Sequence, residues 1–152
     1  MPTQESEEVT PDEYKPNRAT RRAKTKSTRA TFSLLRDKKP QEKEVVVIVP
    51  DGSETPQEMS FLFRSISAKE WDLLVAKYPP TKDQRADGQP FNVDTFPPAL
   101  LSRVCVDPVL SAEEWQEIWE SESWNRGEIG DLYGQAVNLC TTGFSIPFNE
   151  SA

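Results

Sequence analysis

The fold is decided by a loop-and-helix block with the sequence Tyr78-Pro-Pro-Thr81 and, further on, Phe91-Asn-Val-Asp-Thr-Phe-Pro-Pro-Ala-Leu-Leu101. Either Asp94 or Thr95 can cap a helix whose first turn holds the two adjacent prolines. Proline is tolerated there because the N–H groups of a first helical turn have no partner within the helix. The apolar residues at helical spacing, which predict its buried stripe, are Leu100, Leu101, Val104 and Cys105. Residues 86–90 before the block are expected to form a flexible loop.

Two further helices are predicted to begin with the same N-capping pattern. In Ile66-Ser67-Ala-Lys-Glu70-Trp71, the serine can cap the helix, the glutamate can close a capping box, and the isoleucine can pack on the tryptophan. Leu110-Ser111-Ala-Glu-Glu114-Trp115 repeats this arrangement. We expect these helices to run to about Lys77 and about Ser121.

A last helix is predicted to begin near Asn125 or Gly127 and to end before Gly143. Its apolar residues at a period of 3.6 are Ile129, Leu132, Tyr133, Ala136, Val137 and Cys140. Gly130 and Gly134 lie four residues apart on it, and two interpretations stay open. They allow another helix to approach closely, or they are weak positions that reduce stability.

A β-hairpin is predicted ahead of the helices, over residues 44–66. Glu44-Val-Val-Val-Ile-Val49 is rich in β-branched residues, and Met59, Phe61 and Phe63 would share one face of the second strand. Because a lone hairpin is marginal in water, its apolar face should pack on helices. The predicted fold class is therefore α+β and mostly helical, with an N-terminal β-hairpin packed on about four short α-helices and preceded by a disordered basic arm.

Composition and charge divide the chain into an arm and a domain. Of its 14 aromatic residues, 12 lie between positions 61 and 148, which places the core in that part of the chain. Residues 15–39 carry ten Lys/Arg against one acid, a net of +9, whereas residues 45–152 carry seven basic and 17 acidic residues, a net of −10. The predicted organisation is a disordered basic arm over 1–31, a small helical domain over 32–148 and a tail over 149–152.

Several classes of chemistry are excluded by residues that the sequence lacks. The chain has no histidine, no Cys-x-x-Cys pair, and neither a phosphate-binding nor a dinucleotide-binding glycine motif. Cys105 and Cys140 fit free, buried thiols of a reducing compartment. We therefore expect a protein that is not an enzyme and binds neither cofactor nor metal. Without a signal peptide or a long apolar run, the chain is expected to be soluble and intracellular, with no membrane partner.

The basic arm is the first candidate site. Its cations are Arg18, Arg21, Arg22, Lys24, Lys26 and Arg29. They could contact a polyanion in a salt-dependent way. No aromatic residue is interleaved to stack on bases, so nucleic acid is not the expected partner, and a solubilising tail is the alternative. Just after the arm, Phe32-Ser-Leu-Leu-Arg36 is expected to form a helical turn or a short contact element.

The second candidate is a set of large side chains around the loop over residues 79–98. Phe91 and Phe96 are either core anchors or part of an exposed apolar patch that receives a helix or strand of a partner. Trp119 and Trp124 raise the same alternatives, because a core of this size rarely hides four tryptophans completely. The candidate partner-binding residues are Trp71, Tyr78, Phe91, Phe96, Trp119 and Trp124.

One ordered set of residues, over roughly residues 45–148, carries a resemblance to a known family. Beyond the hairpin, its members are Ser67, Trp71, Pro79-Pro-Thr81, Gln84, Phe91-Asn92, Asp94-Thr-Phe96, Pro98-Ala-Leu100, Pro108, Ser111, Trp119, Trp124 and Gly127-Glu128. In this order they resemble the tail assembly chaperones of long-tailed bacteriophages, especially those that infect actinobacteria. Many members of that family have a histidine before the Pro-Pro-Thr, where this chain has Tyr78, so no imidazole role is carried over.

The resemblance implies a non-enzymatic protein of the host cytoplasm that acts during virion assembly. Such chaperones bind the long helical tape measure protein, keep it soluble and are displaced as tail-tube subunits polymerise, so they are absent from the mature virion. Many relatives also exist in a longer form made by ribosomal frameshifting, and this chain resembles the short product. The implied partners are the tape measure protein, then the longer form, tail-tube subunits and further copies of the chain.

Two other functions stay open from the sequence. One is a small nucleic-acid-associated regulator that uses the basic arm. The other is a structural tail or head-completion subunit that remains in the virion.

Overall fold

The computed structural model describes residues 27–50 and 52–144. Two compact units are distinguished: of the described residues, 27–38 and 143–144 belong to one, and 39–50 and 52–142 belong to the other. The described residues form six helices and one three-stranded antiparallel sheet, so the predicted α+β, mostly helical fold class is confirmed. The predicted tail and the arm cations Arg18, Arg21, Arg22, Lys24 and Lys26 lie outside the described residues.

The first unit contains the helix α1 (Phe32–Arg36), where the sequence predicts a helical turn. Thr31 caps it, since the Thr31 Oγ1 accepts a hydrogen bond from the Leu34 N–H at 3.3 Å. The Arg36 guanidinium lies 5.4 Å from the centre of the Phe32 ring. Phe32, Leu34 and Leu35 are nevertheless exposed by 75%, 53% and 68%. α1 therefore presents three apolar side chains to solvent.

The second unit begins with the predicted hairpin. β1 (Glu42–Val49) and β2 (Gln57–Arg64) pair antiparallel in a register that places Val45 opposite Phe61. Both side chains are buried, as is Phe63 two residues further along β2. The inner face of the hairpin packs on the last helix, as expected for a hairpin that is too small to be stable alone.

A third strand, β3 (Cys105–Asp107), pairs antiparallel with the other side of β2. The strand order is β1-β2-β3, so β1 is an edge of the sheet. The prediction that Cys105 belongs to a helical stripe is wrong: its side chain is buried, but the helix ends at Val104. The helix ends there because Cys105 pairs with Phe63 of β2. The hydrogen bonds between these strands satisfy backbone N–H and C=O groups that would otherwise be bonded in a further helical turn.

The core is centred on α4 (Phe96–Val104), the helix predicted from the proline block. Seven of its nine residues are buried, including Pro97 and Pro98 in the first turn. α4 contacts the earlier helix Ala68–Lys77, the following helix Ala112–Glu120, the last helix and β3. The remaining fully buried large side chains are Trp115, Phe63 and Leu132. The unit therefore has one core, built around one short helix.

The cap of α4 differs from the prediction. Thr95 occupies the N-cap position but makes no side-chain cap hydrogen bond. Instead, the Asn92 Oδ1 accepts hydrogen bonds from the N–H groups of Asp94 and Thr95 at 2.8 and 3.2 Å. Asn92 thus organises the turn that enters the helix, in the manner of an Asx turn.

Three other helices of the second unit are α2 (Ala68–Lys77), α5 (Ala112–Glu120) and α6 (Arg126–Thr141). Ser67 and Ser111 are the N-caps of α2 and α5, as the sequence predicts, and Asn125, one of the two predicted starts of the last helix, is the N-cap of α6. α5 has the full predicted capping box, in which the Ser111 Oγ accepts from the Glu114 N–H and the Glu114 carboxylate accepts from the Ser111 N–H. No helix of the described residues is long and apolar enough to cross a membrane.

The capping box predicted for α2 is only half formed. The Ser67 Oγ accepts from the Glu70 N–H at 3.0 Å, but the Glu70 carboxylate accepts instead from the Arg103 guanidinium of α4 at 2.9 Å. The glutamate is therefore used between helices and not at the cap. Because the Arg103 side chain is 55% exposed, this ion pair contributes about 0–1 kcal/mol.

The loop between α2 and α4 is more ordered than predicted, because it contains a further helix, α3 (Lys82–Ala86). Thr81 and Gln84 form its capping box. The Gln84 Oε1 also accepts from the Val93 N–H at 3.2 Å, and the Gln84 Nε2 donates to Asp94 at 3.4 Å. One side chain thus joins α3 to the turn before α4. Of the loop predicted over residues 86–90, Ala86 belongs to α3 and residues 87–90 are non-helical, and the flexibility stays a prediction.

The two glycines of α6 do not mark a close helix contact. A Cβ added at Gly130 or at Gly134 would meet no atom within 4 Å. The sequence left two interpretations open. The described part of the chain fits the second one, in which the two glycines reduce the stability of the helix.

Candidate partner-binding groove

Four of the six candidate partner-binding residues lie around the start of α4. The Trp71 and Phe96 rings meet edge to face at 5.5 Å, and the Phe91 and Phe96 rings stack at 4.0 Å. Phe96 is completely buried, so its ring is a core anchor and not a contact surface. Trp71 and Phe91 are half-buried. Tyr78, also half-buried, accepts a hydrogen bond from the Asn92 N–H through its carbonyl at 2.8 Å.

Trp119 belongs to a second place, between α5 and α6. Its ring meets Tyr133 edge to face at 5.9 Å, and the Arg126 guanidinium lies 5.6 Å from its centre. Burial raises the pKa of Tyr133 to about 12. Trp119 is thus held by its neighbours on two sides, and it packs against the core with only part of its ring exposed.

Trp124 belongs to a third place, where it lines a cavity. A groove of about 460 Å³ lies between the end of the hairpin and the start of α6. The described residues that line it are Val47, Ile48, Val49, Met59, Ser123, Trp124, Glu128 and Asp131. We call this the hairpin groove. The six candidate residues therefore do not form one surface, and Trp124 alone among them lines this groove.

The helix side of the hairpin groove is fixed by the cap of α6. The Asn125 Oδ1 accepts from the Glu128 N–H at 2.8 Å, and the Glu128 carboxylate accepts from the Asn125 N–H at 2.9 Å. Trp124 directly precedes this cap, at the position that packs on Ile129 in a hydrophobic staple. Ile129 is buried and Trp124 packs against the core. The cap thus holds the tryptophan and one carboxylate at the groove, and Asp131 follows one turn later.

The strand side of the hairpin groove consists of aliphatic residues. Val47 lies opposite Met59 in the hairpin, and both are partly buried against the core. Ile48 is 61% exposed although it is a large apolar residue. Since β1 is an edge strand, this wall is open on the side away from β2. An apolar surface of this kind next to a free strand edge is a common place for another chain to bind.

The hairpin groove is acidic at its rim. Two of its described lining residues, Glu128 and Asp131, are acids and none is basic. The surrounding unit has the same sign of charge, because residues 39–142 carry nine Lys/Arg and 18 Asp/Glu, a net of −9. An apolar segment flanked by basic residues is therefore the ligand that complements this surface in both shape and charge.

The cysteines contribute no reactive group to the groove. Burial raises the pKa of the Cys105 thiol and also that of the Cys140 thiol, and both are free. The Cys105 S–H donates to the Pro108 carbonyl at 3.2 Å. Residues 27–50 and 52–144 contain no group of three or more His, Cys, Asp or Glu side chains that could hold a metal ion.

Comparison of the chain with protein-family models, with curated proteins and with solved structures finds no match. Its function is therefore argued from its residues and geometry, together with the resemblance of residues 45–148.

Sequence reasoning missed most of the hairpin groove. It singled out Trp124 but not the aliphatic wall or the two carboxylates. A signal for the wall was present, because Val45–Val49 is apolar at every position, so the strand has apolar side chains on both faces instead of alternating with polar ones. The polyanion site of the arm stays a prediction: only Arg29 of its six cations is described, and it is exposed.

Proposed function

We propose that this chain is a non-enzymatic tail assembly chaperone of the long-tailed bacteriophage type, which acts in the host cytoplasm and binds an apolar segment of the tape measure protein in the hairpin groove. The observation that carries the proposal is the groove itself, with an aliphatic wall, Trp124 at one side and two acids at the rim. The order of residues that resembles this family supports the choice of partner.

The physical demands on such a chaperone match this surface. It must cover apolar faces of a long partner and yet stay soluble and be released later. The excess of 18 acids over nine basic residues in residues 39–142 favours solubility. A groove of about 460 Å³ accommodates a few apolar side chains, which gives a moderate affinity that a polymerising tube can overcome.

The half-buried aromatic residues outside the groove have a secondary role in this proposal. Trp71 and Phe91 pack with the buried Phe96 and so hold the start of α4 in place. Trp119 is fixed by Tyr133 and Arg126. The part of each ring that remains exposed can widen the contact with a long partner, while Trp124 lies at the groove.

The test is co-expression of the full chain with the tape measure protein, comparing wild type with the groove variant Ile48→Lys and the control variant Val109→Lys. Ile48 is 61% exposed and lines the groove, whereas Val109 is 83% exposed and does not line it. Neither change touches the core, so thermal unfolding should be similar for all three chains. We expect wild type and the control to keep the tape measure protein soluble and to co-purify with it, and the groove variant to lose most of it.

Two results would count against the proposal. One is a wild-type chain that stays soluble beside an insoluble, unbound tape measure protein. The other is an Ile48→Lys chain that co-purifies with the partner as well as wild type does. Mass spectrometry of purified virions adds a further check, because a chaperone should be absent from them and a structural subunit should be present.

A further inference from the structure

We propose that α1 of one copy docks in the hairpin groove of a second copy, so that the chain assembles head to tail. The inference rests on the proposed function in one respect only, that the groove is a docking site. The two proposals differ in what occupies the groove. Here the occupant is α1 of a second copy of this chain, so no phage protein is required.

The apolar side chains of α1 need an apolar partner that the helix itself does not supply. Phe32, Leu34 and Leu35 are the three large apolar residues of a five-residue helix in which no residue is buried. The cap at Thr31 fixes the helical turn, so the three side chains are presented in a defined arrangement. Docking of a preformed turn costs less conformational entropy than docking of an unstructured segment.

Charge complements this apolar match. Residues 29–39 carry Arg29, Arg36, Lys38 and Lys39 against the single acid Asp37, a net of +3. The hairpin groove has Glu128 and Asp131 at its rim and no basic residue among its described lining residues. An apolar turn with basic flanks therefore meets an apolar wall with an acidic rim.

Such a contact is heterologous, since two different surfaces meet. Heterologous contacts produce rings when the rotation closes and open chains when it does not. In the absence of a client, the groove of each inner copy would be filled by the α1 of its neighbour. An apolar client segment with basic flanks would displace that helix by mass action, and this makes self-assembly and client binding competitive.

The experiment is sedimentation equilibrium of the full chain over a wide concentration range, without any tape measure protein. The α1 variant carries Leu34→Ser and Leu35→Ser, the groove variant carries Ile48→Lys and Asp131→Lys, and Val109→Lys is the control. All the substituted side chains are exposed, so the fold should be retained. For wild type and the control we expect a mass that rises with concentration, with a dissociation constant on the order of 10⁻⁵–10⁻⁴ M.

Each double variant should weaken the association by at least about tenfold, because each removes apolar contacts and the groove variant also adds like charge. The decisive step is to mix the two variants. The α1 variant keeps an intact groove and the groove variant keeps an intact α1, so together they should form a one-to-one complex that goes no further. A wild-type chain that stays monomeric, or two variants that stay monomeric when mixed, would overturn the inference.

The outcome is separable from that of the proposed function. Self-association through α1 and the groove, with no binding of the tape measure protein, would support the inference and count against the chaperone. Tape-measure binding that is lost in Ile48→Lys, by a chain that is monomeric alone, would support the chaperone and refute head-to-tail assembly.

Discussion

Replacing glycine by alanine should have opposite effects at two places that have equal free space. Gly134→Ala and Gly130→Ala lie within the 16-residue helix α6, where an added Cβ meets no atom within 4 Å. Gly88 follows α3 and has equally free space, but its φ is +83°. We expect the α6 substitutions to stabilise the fold and Gly88→Ala to destabilise it.

The magnitudes follow from backbone conformation alone. Alanine is favoured over glycine within a helix by about 0.8–1.0 kcal/mol, so the double α6 variant should gain about 1.6–2 kcal/mol. For a unit of this size each kcal/mol raises Tm by roughly 4–8 °C. At Gly88 a residue with a Cβ costs about 1–2 kcal/mol for the left-handed conformation. This outweighs the stabilisation of about 0.4–1 kcal/mol that comes from the lower conformational entropy of the unfolded chain.

The assay is thermal and urea-induced unfolding of the full chain, followed by circular dichroism. If the α6 double variant were less stable than wild type, a close approach to these glycines would exist that the described residues do not show. If Gly88→Ala were stabilising, Gly88 would not have the left-handed backbone conformation that is assigned to it after α3. Either result would refute the argument that φ, and not space, decides the sign.

Two further predictions concern single side chains. Gln84→Ala should lower the free energy of unfolding by about 1–2 kcal/mol, since the amide joins α3 to Val93 and Asp94, whereas the exposed Gln89→Ala should be nearly neutral in the same urea titration. Tyr133 has a pKa that burial raises from 10.0 to about 12, so its contribution to stability is complete below pH 10 and is lost as the pH rises towards 12. Unfolding measured across that interval should show a shallower decline for Tyr133→Phe, and an identical decline would contradict the assignment.

The sequence predicted those parts of the fold that depend on neighbours in the chain. The caps at Ser67 and Ser111 are local patterns in which a side-chain oxygen accepts a hydrogen bond from a backbone N–H three residues on. The hairpin is similarly local. The capping box that failed, at Glu70, did so because Arg103 competes for the carboxylate. That competition depends on how α2 packs against α4, which local spacing does not reveal.

The third strand was missed because it depends on a distant pairing. Val104 and Cys105 continue the spacing of a helical stripe, and three residues are too few for a strand pattern to show. Phe63, the partner of Cys105, lies 42 residues earlier in the chain. The helix α3 was missed for another reason: its capping box was visible, but the five residues KDQRA have no apolar stripe.

The candidate site was predicted only in part, because side-chain type does not determine exposure. Trp115 is only 1% exposed, whereas Trp71 is half-buried, although both occupy the same position in the same capping pattern. The difference comes from what packs above each helix. Trp124 was one of the six candidates, but its groove needs the edge of β1 and the start of α6 to meet, and these lie about 75 residues apart in the chain.

The crowded surroundings of α4 have a consequence for how this chain can diverge in evolution. Seven of the nine residues of α4 are buried, and two consecutive prolines stand at its start. Only Ser102 and Arg103 can therefore be substituted without disturbing the core. The surface of α5 and the rim of the groove can change far more before the fold is lost. Remote relatives should therefore align first on the short pattern Phe96-Pro-Pro-Ala-Leu-Leu101, and their differences around it should record adaptation to different partners.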